Sequence, residues 1–353
     1  MGVKDFLHKV LRFPVRKMLS YSLRKTQPGG PPNINDLWNL TKDIELIKLN
    51  IKSMGYELAR DLRTRLPQER VDDPVALGLS SRAVTQAEFS APHFRHWCAQ
   101  LQIPILFHRK IWEYVFVLQS MHDGGILKPG CRVLGFGCGQ EPIPSYLASR
   151  GLDVTVTDLH PDKVRDMGWT ETGQHSESLE ALYHPHLVDR ERFDRHVKLR
   201  YVDMNDIPDD LTGYDMNWSI CSLEHLGSIE KGLAFIENSL KTLRPGGLAI
   251  HTTEFNYLND EETVDNWMTV LFQRKHFESL AARLTAQGHE VAPLNFNVGD
   301  GALDHFIDLP PYEWSRLMLA ATGKAEPNQE AHLKLALDGF ASTCFGIVVR
   351  KGG

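Results

Sequence analysis

Several things are scarce or missing in this chain of 353 residues, and each closes off a class of protein. No C-x-x-C pair occurs, and the five cysteines (Cys98, Cys131, Cys138, Cys221 and Cys344) are odd in number and scattered. A zinc ribbon and a disulfide framework are therefore not expected, and reduced thiols in a cytoplasm are the simplest reading. No apolar run approaches the roughly 18 residues of a membrane span. Excess positive charge is missing too: the net charge is −6, so the surface as a whole does not advertise nucleic-acid binding. What is present, 42% hydrophobic and 24% charged residues, is the make-up of a soluble globular protein of one large or two modest domains.

The basic residues that do occur are concentrated at the start. Residues 1–25 hold seven Lys/Arg against one acid, Asp5, interleaved with Phe6, Leu7, Val10, Leu11, Met18 and Leu19. Charges interrupt the apolar residues too often for a signal peptide. The pattern suits a basic amphipathic arm in peripheral contact with an anionic membrane, or else a solvated arm or a lid on an acidic surface. Residues 27–32, QPGGPP, read as a linker that completes the segment 1–32. Over 33–67 follows a heptad helix. Leu37, Leu40, Ile44, Ile47, Ile51, Met54 and Leu58 are spaced alternately three and four apart. That seam predicts a coiled coil making a homo-oligomer through residues 37–58; the competing reading is an amphipathic helix on its own domain, which Leu46, Leu49 and Leu62 favour.

Residues 67–90 read as loop, and helices are expected over about 94–102 and 106–121. His93 and His96 have the i, i+3 spacing of a metal pair but no third ligand nearby, so they read as surface or packing residues. From Cys131 the chain reads CRVLGFGCGQEPIPSYLASRGLDVTVTD: strand, glycine turn, helix, then a second strand ending on Asp158. Such a β-turn-α-β unit suits an adenosine-type cofactor, with the acid accepting from ribose hydroxyls. What the turn lacks is the last glycine of the dinucleotide pattern G-x-G-x-x-G. Gln140 or Pro142 stands where a dinucleotide site opens its helix, so dinucleotides are not expected.

The run Gly135-Phe136-Gly137-Cys138-Gly139 resembles motif I of the class I S-adenosylmethionine (SAM) methyltransferases. Four later stretches look like the same family: Asp203-Met204 ending a third strand, Cys-Ser-Leu-Glu-His (221–225) after a fourth, Leu-Arg-Pro-Gly-Gly (243–247) before a fifth, and a strand over 342–350 closing the sheet. The resemblance covers about residues 106–350. It implies an α/β, Rossmann-like seven-stranded methyltransferase sheet with an N-terminal helical extension. The catalytic domain would then span 68–353, with an insertion at 159–197 helping to form the acceptor site or capping the fold. It implies SAM as cofactor, held by Gly135, Phe136, Gly137, Cys138, Gly139, Glu141, Asp158, Leu159, Asp203, Met204 and Ser219. The wording of these stretches also looks like bacterial methyltransferases linked to polysaccharide biosynthesis, which implies a glycan acceptor. The Leu-Glu-His triplet is similar to ubiquinone-type O-methyltransferases, which implies a quinol or phenol instead. There a Glu-x-x-Glu-His set holds a divalent ion; here Cys221 replaces the first Glu, so no metal is expected.

His225 is the expected general base, with Glu224 and Glu254 in support; the competing reading has Glu224 capping a helix and His225 packing. Asp304 and His305 are minor candidates. One departure stands out: the family's motif I begins with an acid, here Gly135, and ends on a glycine, here Glu141. Either Glu141 carries the missing charge or the cofactor is bound differently, and a degenerate, membrane-tethered scaffold is the non-enzymatic alternative. The expected location is cytoplasmic or peripheral on the inner membrane surface.

Overall fold

The computed structural model describes residues 44–160, 179–310, 312 and 331–353. The basic arm, the linker, Leu37, Leu40 and residues 161–178 of the expected insertion lie outside them. The chain divides into two compact units, Met1–Met54 and Gly55–Gly353. The division falls inside the first described helix, α1 (Ile44–Thr64), rather than near 32 or 67. Among the described residues no helix is long and apolar enough to cross a membrane.

In the second unit a short strand, β1 (Ser81–Ala83), comes from a stretch expected to be loop. Three residues are too few for a readable alternation, and the strand exists because it pairs with the far end of the chain. Then come α2 (Pro92–Leu101), β2 (Phe107–His108) and α3 (Arg109–Asp123). The two histidines of α2 pack as expected: both are buried, and His96 Nδ1 lies 2.9 Å from the Val71 carbonyl.

The sheet is built from β3 (Arg132–Phe136), β4 (Asp153–Asp158), β5 (Val197–Tyr201), β6 (Tyr214–Ile220) and β7 (Leu243–Asn256), all parallel. Its helices are α4 (Ile143–Ser149), α5 (Arg190–His196), α6 (Ile229–Ser239) and α7 (Arg274–Ala286). Short pieces follow: β8 (Glu290–Val291), β9 (Leu294–Asn295), β10 (Ile307–Asp308) and β11 (Ala331–His332). The hairpin of β12 (Lys334–Leu337) and β13 (Phe340–Arg350) closes the chain, with β13 antiparallel to β7.

Strand order across the main sheet is β10-β12-β13-β7-β6-β3-β4-β5. The seven strands from β12 to β5 form a Rossmann-like sheet. Its central strands are buried on both faces, which is why Leu248–Asn256 and Ser342–Val349 carry no polar alternation of exposure. Two apolar layers fill the two sides. Trp97, Trp112, Phe116 and Trp218 belong to one; Phe136, Phe235, Phe277 and Phe345 belong to the other. The strand order reverses between β3 and β6, and at such a switch point the loops leaving the two strands diverge and open a crevice.

Candidate functional site

A cleft of about 380 Å³ occupies that crevice, beyond the carboxyl ends of β3, β4 and β6. Its volume falls in the range of sites that enclose a small organic molecule. One wall is the glycine turn. Gly137 and Gly139 have φ of +59° and +53°, which side chains rarely adopt. A Cβ on Gly137 would also stand 2.9 Å from that of Ser222, across the cleft floor. At the end of β4, Asp158 is buried, and its carboxylate accepts from the amides of Gly139 (3.2 Å) and Leu159 (2.8 Å). Both bonds help to orient the carboxylate. Asp203 and Met204 line the same cleft past β5, where the Asp203 carboxylate accepts from the Asn205 amide at 3.0 Å.

The departure at the start of the glycine motif has a steric explanation. A Cβ on Gly135 would lie 2.3 Å from Cys138 Sγ and 2.5 Å from the Trp218 ring, so no acid fits there. Trp218 fills the space, and its indole N–H donates to Glu141 Oε1 at 2.7 Å. Glu141 thus brings a carboxyl to the cleft from the far end of the same turn. Burial raises its pKa to about 8, against the opposing pull of the indole and of Lys110.

Beneath the cleft lies a layer of charge. Arg109 pairs with Glu254 in the sheet, and Ser342 donates to the same carboxylate at 2.6 Å. Lys110 Nζ stands 3.4 Å from Glu113 Oε1, and Thr252 donates to Glu113. Burial works against the charge on Glu113, yet Lys110, Arg109 and these hydrogen bonds hold its carboxyl below the usual range. Ligand atoms of Cys221, Glu224 and Glu254 come within 4.8 Å of one another, as do those of Glu113, Cys221 and Cys344. The Arg109 guanidinium already sits in both groups: it pairs with Glu254 and lies 3.9 Å from Cys221 Sγ and 3.6 Å from Cys344 Sγ. A fixed cation in this place does not suit a second one. Cys221 and Cys344, 3.8 Å apart, stay thiols, because their mutual contact and burial raise the Cys221 pKa and burial raises that of Cys344.

On the opposite wall, β6 gives way at Cys221, a non-glycine residue at φ +45°. The strand's end then turns into a short 3₁₀ segment, Leu223–His225. Backbone in so sparse a region persists only where its surroundings hold it, as at many functional sites. His225 lines the cleft and its Nδ1 lies 3.0 Å from the Met268 carbonyl and 3.2 Å from Thr269 Oγ1. A carbonyl can only accept, so Nδ1 carries a proton, which in the neutral ring leaves the lone pair on Nε2. Glu224 faces inward. It is buried, accepts from Thr253 at 2.9 Å, and is pushed up in pKa by burial and by Glu254, with His225 opposing.

The cleft therefore brings together Gly137, Cys138, Gly139, Glu141, Asp158, Leu159, Asp203, Met204 and His225. It leaves five expected residues off its wall, among them Glu224, which faces inward. Gly135 lies under Trp218, and Phe136 packs edge-on against Phe235. Ser219 binds His251 in the core at 2.8 Å, and Glu254 is held inside the sheet rather than at its edge. Asp304 is buried away from the cleft, accepting from Gln86 and Gly301. Lys110, Tyr114, Cys221 and Ser222 line the cleft but were not singled out as site residues. Both Lys110 and Tyr114 come from α3, and nothing local in the sequence marks either as facing a ligand.

No family model and no curated protein matches the chain. Solved structures do resemble it. A putative sarcosine dimethylglycine methyltransferase from Galdieria sulphuraria is 14% identical, with 80% of this chain and 93% of that one covered at a TM-score of 0.42. The methyltransferase domain of bacterial CtHen1-C is 16% identical over 67% and 95%, at a TM-score of 0.40. Phosphoethanolamine N-methyltransferase 2 of Haemonchus contortus, solved in complex with S-adenosyl-L-methionine, is 17% identical over 67% and 53%, at 0.36. Likenesses this distant carry no argument about the reaction, which rests on the geometry of the cleft.

Proposed function

We propose that the chain is a SAM-dependent methyltransferase that O-methylates a sugar hydroxyl of a glycan or glycoconjugate. One observation carries this reading. A single cleft at the switch point holds Asp158, Asp203 with Met204, and Glu141 on one side and a histidine with a directed lone pair on the other. When bound, SAM supplies an electrophilic methyl on a sulfonium. Asp158 would accept from the ribose hydroxyls, Asp203 and Met204 would hold the adenine, and Glu141 the ammonium of the methionine end. Lys110, at the same end, suits the carboxylate. The Nε2 of His225 takes the proton of the attacking hydroxyl, a weak nucleophile unless a base is positioned for it. The remaining contribution is geometric, since displacement at a methyl needs an in-line approach in a site closed to water.

Tyr114, Ile220 and Leu226 make part of the lining apolar, which favours a quinol or phenol as the second reading. Titration calorimetry separates the enzyme from a degenerate scaffold. SAM is expected to bind, and Asp158→Ala to weaken it about tenfold or more, the worth of one charge-assisted hydrogen bond. Binding weaker than about 1 mM in the unaltered chain would sink the proposal. His225→Ala should keep SAM affinity while cutting transfer of labelled methyl into a glycan extract by roughly 10²–10⁴-fold.

A further inference from the structure

The segment between β7 and α7 ends in an exposed apolar tip beside His225. Trp267 is 59% and Met268 55% exposed, although large apolar side chains gain by burial. The tip is held firmly from both sides. Asn256 and Gln273 donate side-chain hydrogen bonds to the Glu262 carbonyl at 3.0 and 3.1 Å. The Leu271 amide donates to the Val264 carbonyl and the Val270 amide to the Glu224 carbonyl, both at 3.0 Å. Asp265 accepts from the amide of Ile229 at the start of α6 (2.8 Å). Asn266, just before the tryptophan, adopts φ +52°, a left-handed conformation that asparagine tolerates better than most. The loop's own backbone reaches the cleft, because the Met268 carbonyl is the group that fixes His225.

Charge narrows what this surface can take. Between Tyr257 and Gln273 there are four acids (Asp260, Glu261, Glu262 and Asp265) and no lysine or arginine. All four are exposed, as is Asn266. An anionic lipid surface or a phosphorylated group would be repelled here. A neutral ring with a C–H face and a rim of hydroxyls meets complementary chemistry: an indole face to lie on, and carboxylates and an amide to bond its hydroxyls.

We propose that Trp267, with Met268, is the acceptor platform, on which a neutral sugar ring lies with its C–H face on the indole so that one hydroxyl reaches His225. This rests on the methyltransferase reading and names the acceptor class for the same site. Saturation-transfer NMR on the full chain tests it, with millimolar methyl glucoside, methyl galactoside and methyl N-acetylglucosaminide as probes and an alkylphenol as the contrast. At least one glycoside should receive saturation on its ring C–H protons. Trp267→Ala should reduce that signal by roughly threefold to tenfold, the worth of one aromatic contact, while Trp267→Phe keeps most of it. An unchanged signal in Trp267→Ala would overturn the platform, and so would saturation of the alkylphenol alone or of no probe. SAM calorimetry on the same samples keeps the two readings apart. SAM binding without any glycoside contact removes the platform only; glycoside contact at Trp267 without SAM binding removes the methyltransferase reading only.

Discussion

Glu141 holds a carboxyl at 6% exposure with the indole N–H of Trp218 as its hydrogen-bond donor. Around it stand Lys110 and Glu113 of α3, the Cys138 thiol of the glycine turn and Trp218 of β6; burial, with Glu113 on its side, outweighs Trp218, Lys110 and Cys138. Its pKa rises from 4.5 to about 8, so the folded chain binds a proton more tightly than the unfolded one. Stability must then fall as pH climbs from 4.5 towards 8, and the Glu141 contribution levels off above that. Glu141→Gln keeps the shape and cannot ionise. Urea unfolding at a series of pH values should therefore show a shallower decline between pH 5 and 8 in Glu141→Gln than in the parent, and equal slopes would show that Glu141 titrates normally. That a charged residue belonged in this turn was legible in the sequence, since Gly135 and Glu141 both break the motif. The reason was not. It depends on Trp218, 83 residues from Gly135, turning its ring into the space above it.

At the scale of elements, the beginning of α3 and the ends of β6, β7 and β13 meet in one ionic layer. Arg109 joins all three strands, through Glu254, Cys221 and Cys344. Its guanidinium stays charged: burial alone would lower its pKa, but Glu254, the two cysteines and Glu113 raise it well above normal. Arg109→Met should cost about 3–5 kcal/mol, because a buried Glu254 is left without its counter-charge. Differential scanning calorimetry reads this as a lowered Tm, and Arg109→Met with Glu254→Gln should recover part of the loss. No recovery would mean that Arg109 acts through packing rather than charge. The strands themselves were readable from their apolar runs and the glycine-rich turns between them. The position of Glu254 was not. Its strand continues to Asn256 and is covered by β13, so a residue expected at the sheet's rim lies in its interior.

For the whole molecule, the open question raised by the sequence is assembly. Within the described part of the seam, Ile44, Ile47, Ile51, Met54 and Leu58 are all exposed on α1, Met54 at 73%. A 3.5-residue repeat of apolar side chains on one helix is the geometry by which helices of separate chains pack knobs into holes. Sedimentation velocity should accordingly find the chain self-associated at micromolar concentration, and Ile47→Asp with Ile51→Asp should return it to monomer. A parent chain that is already monomeric would dismiss the coiled coil. The basic segment 1–25 lies outside the described residues, and its membrane contact is an expectation from sequence alone.

The sequence by itself determined the α/β character, the order of the main elements from Cys131 to Glu254 and the glycine-turn side of the cleft. Those features are local: a strand, its glycine turn and the acid that ends the next strand are contiguous, and periodicity exposes them. Tertiary structure alone decided which polar residues face the cleft. Lys110 and Tyr114 come to it from a helix that precedes β3 in the chain, and β1 forms by pairing with β9 and β13, both far later in the chain. It also withdrew Glu254 and Ser219 into the interior and set the Met268 carbonyl, next to the exposed Trp267, against His225. Such placements depend on contacts between residues far apart in the chain, and no stretch of the sequence carries them.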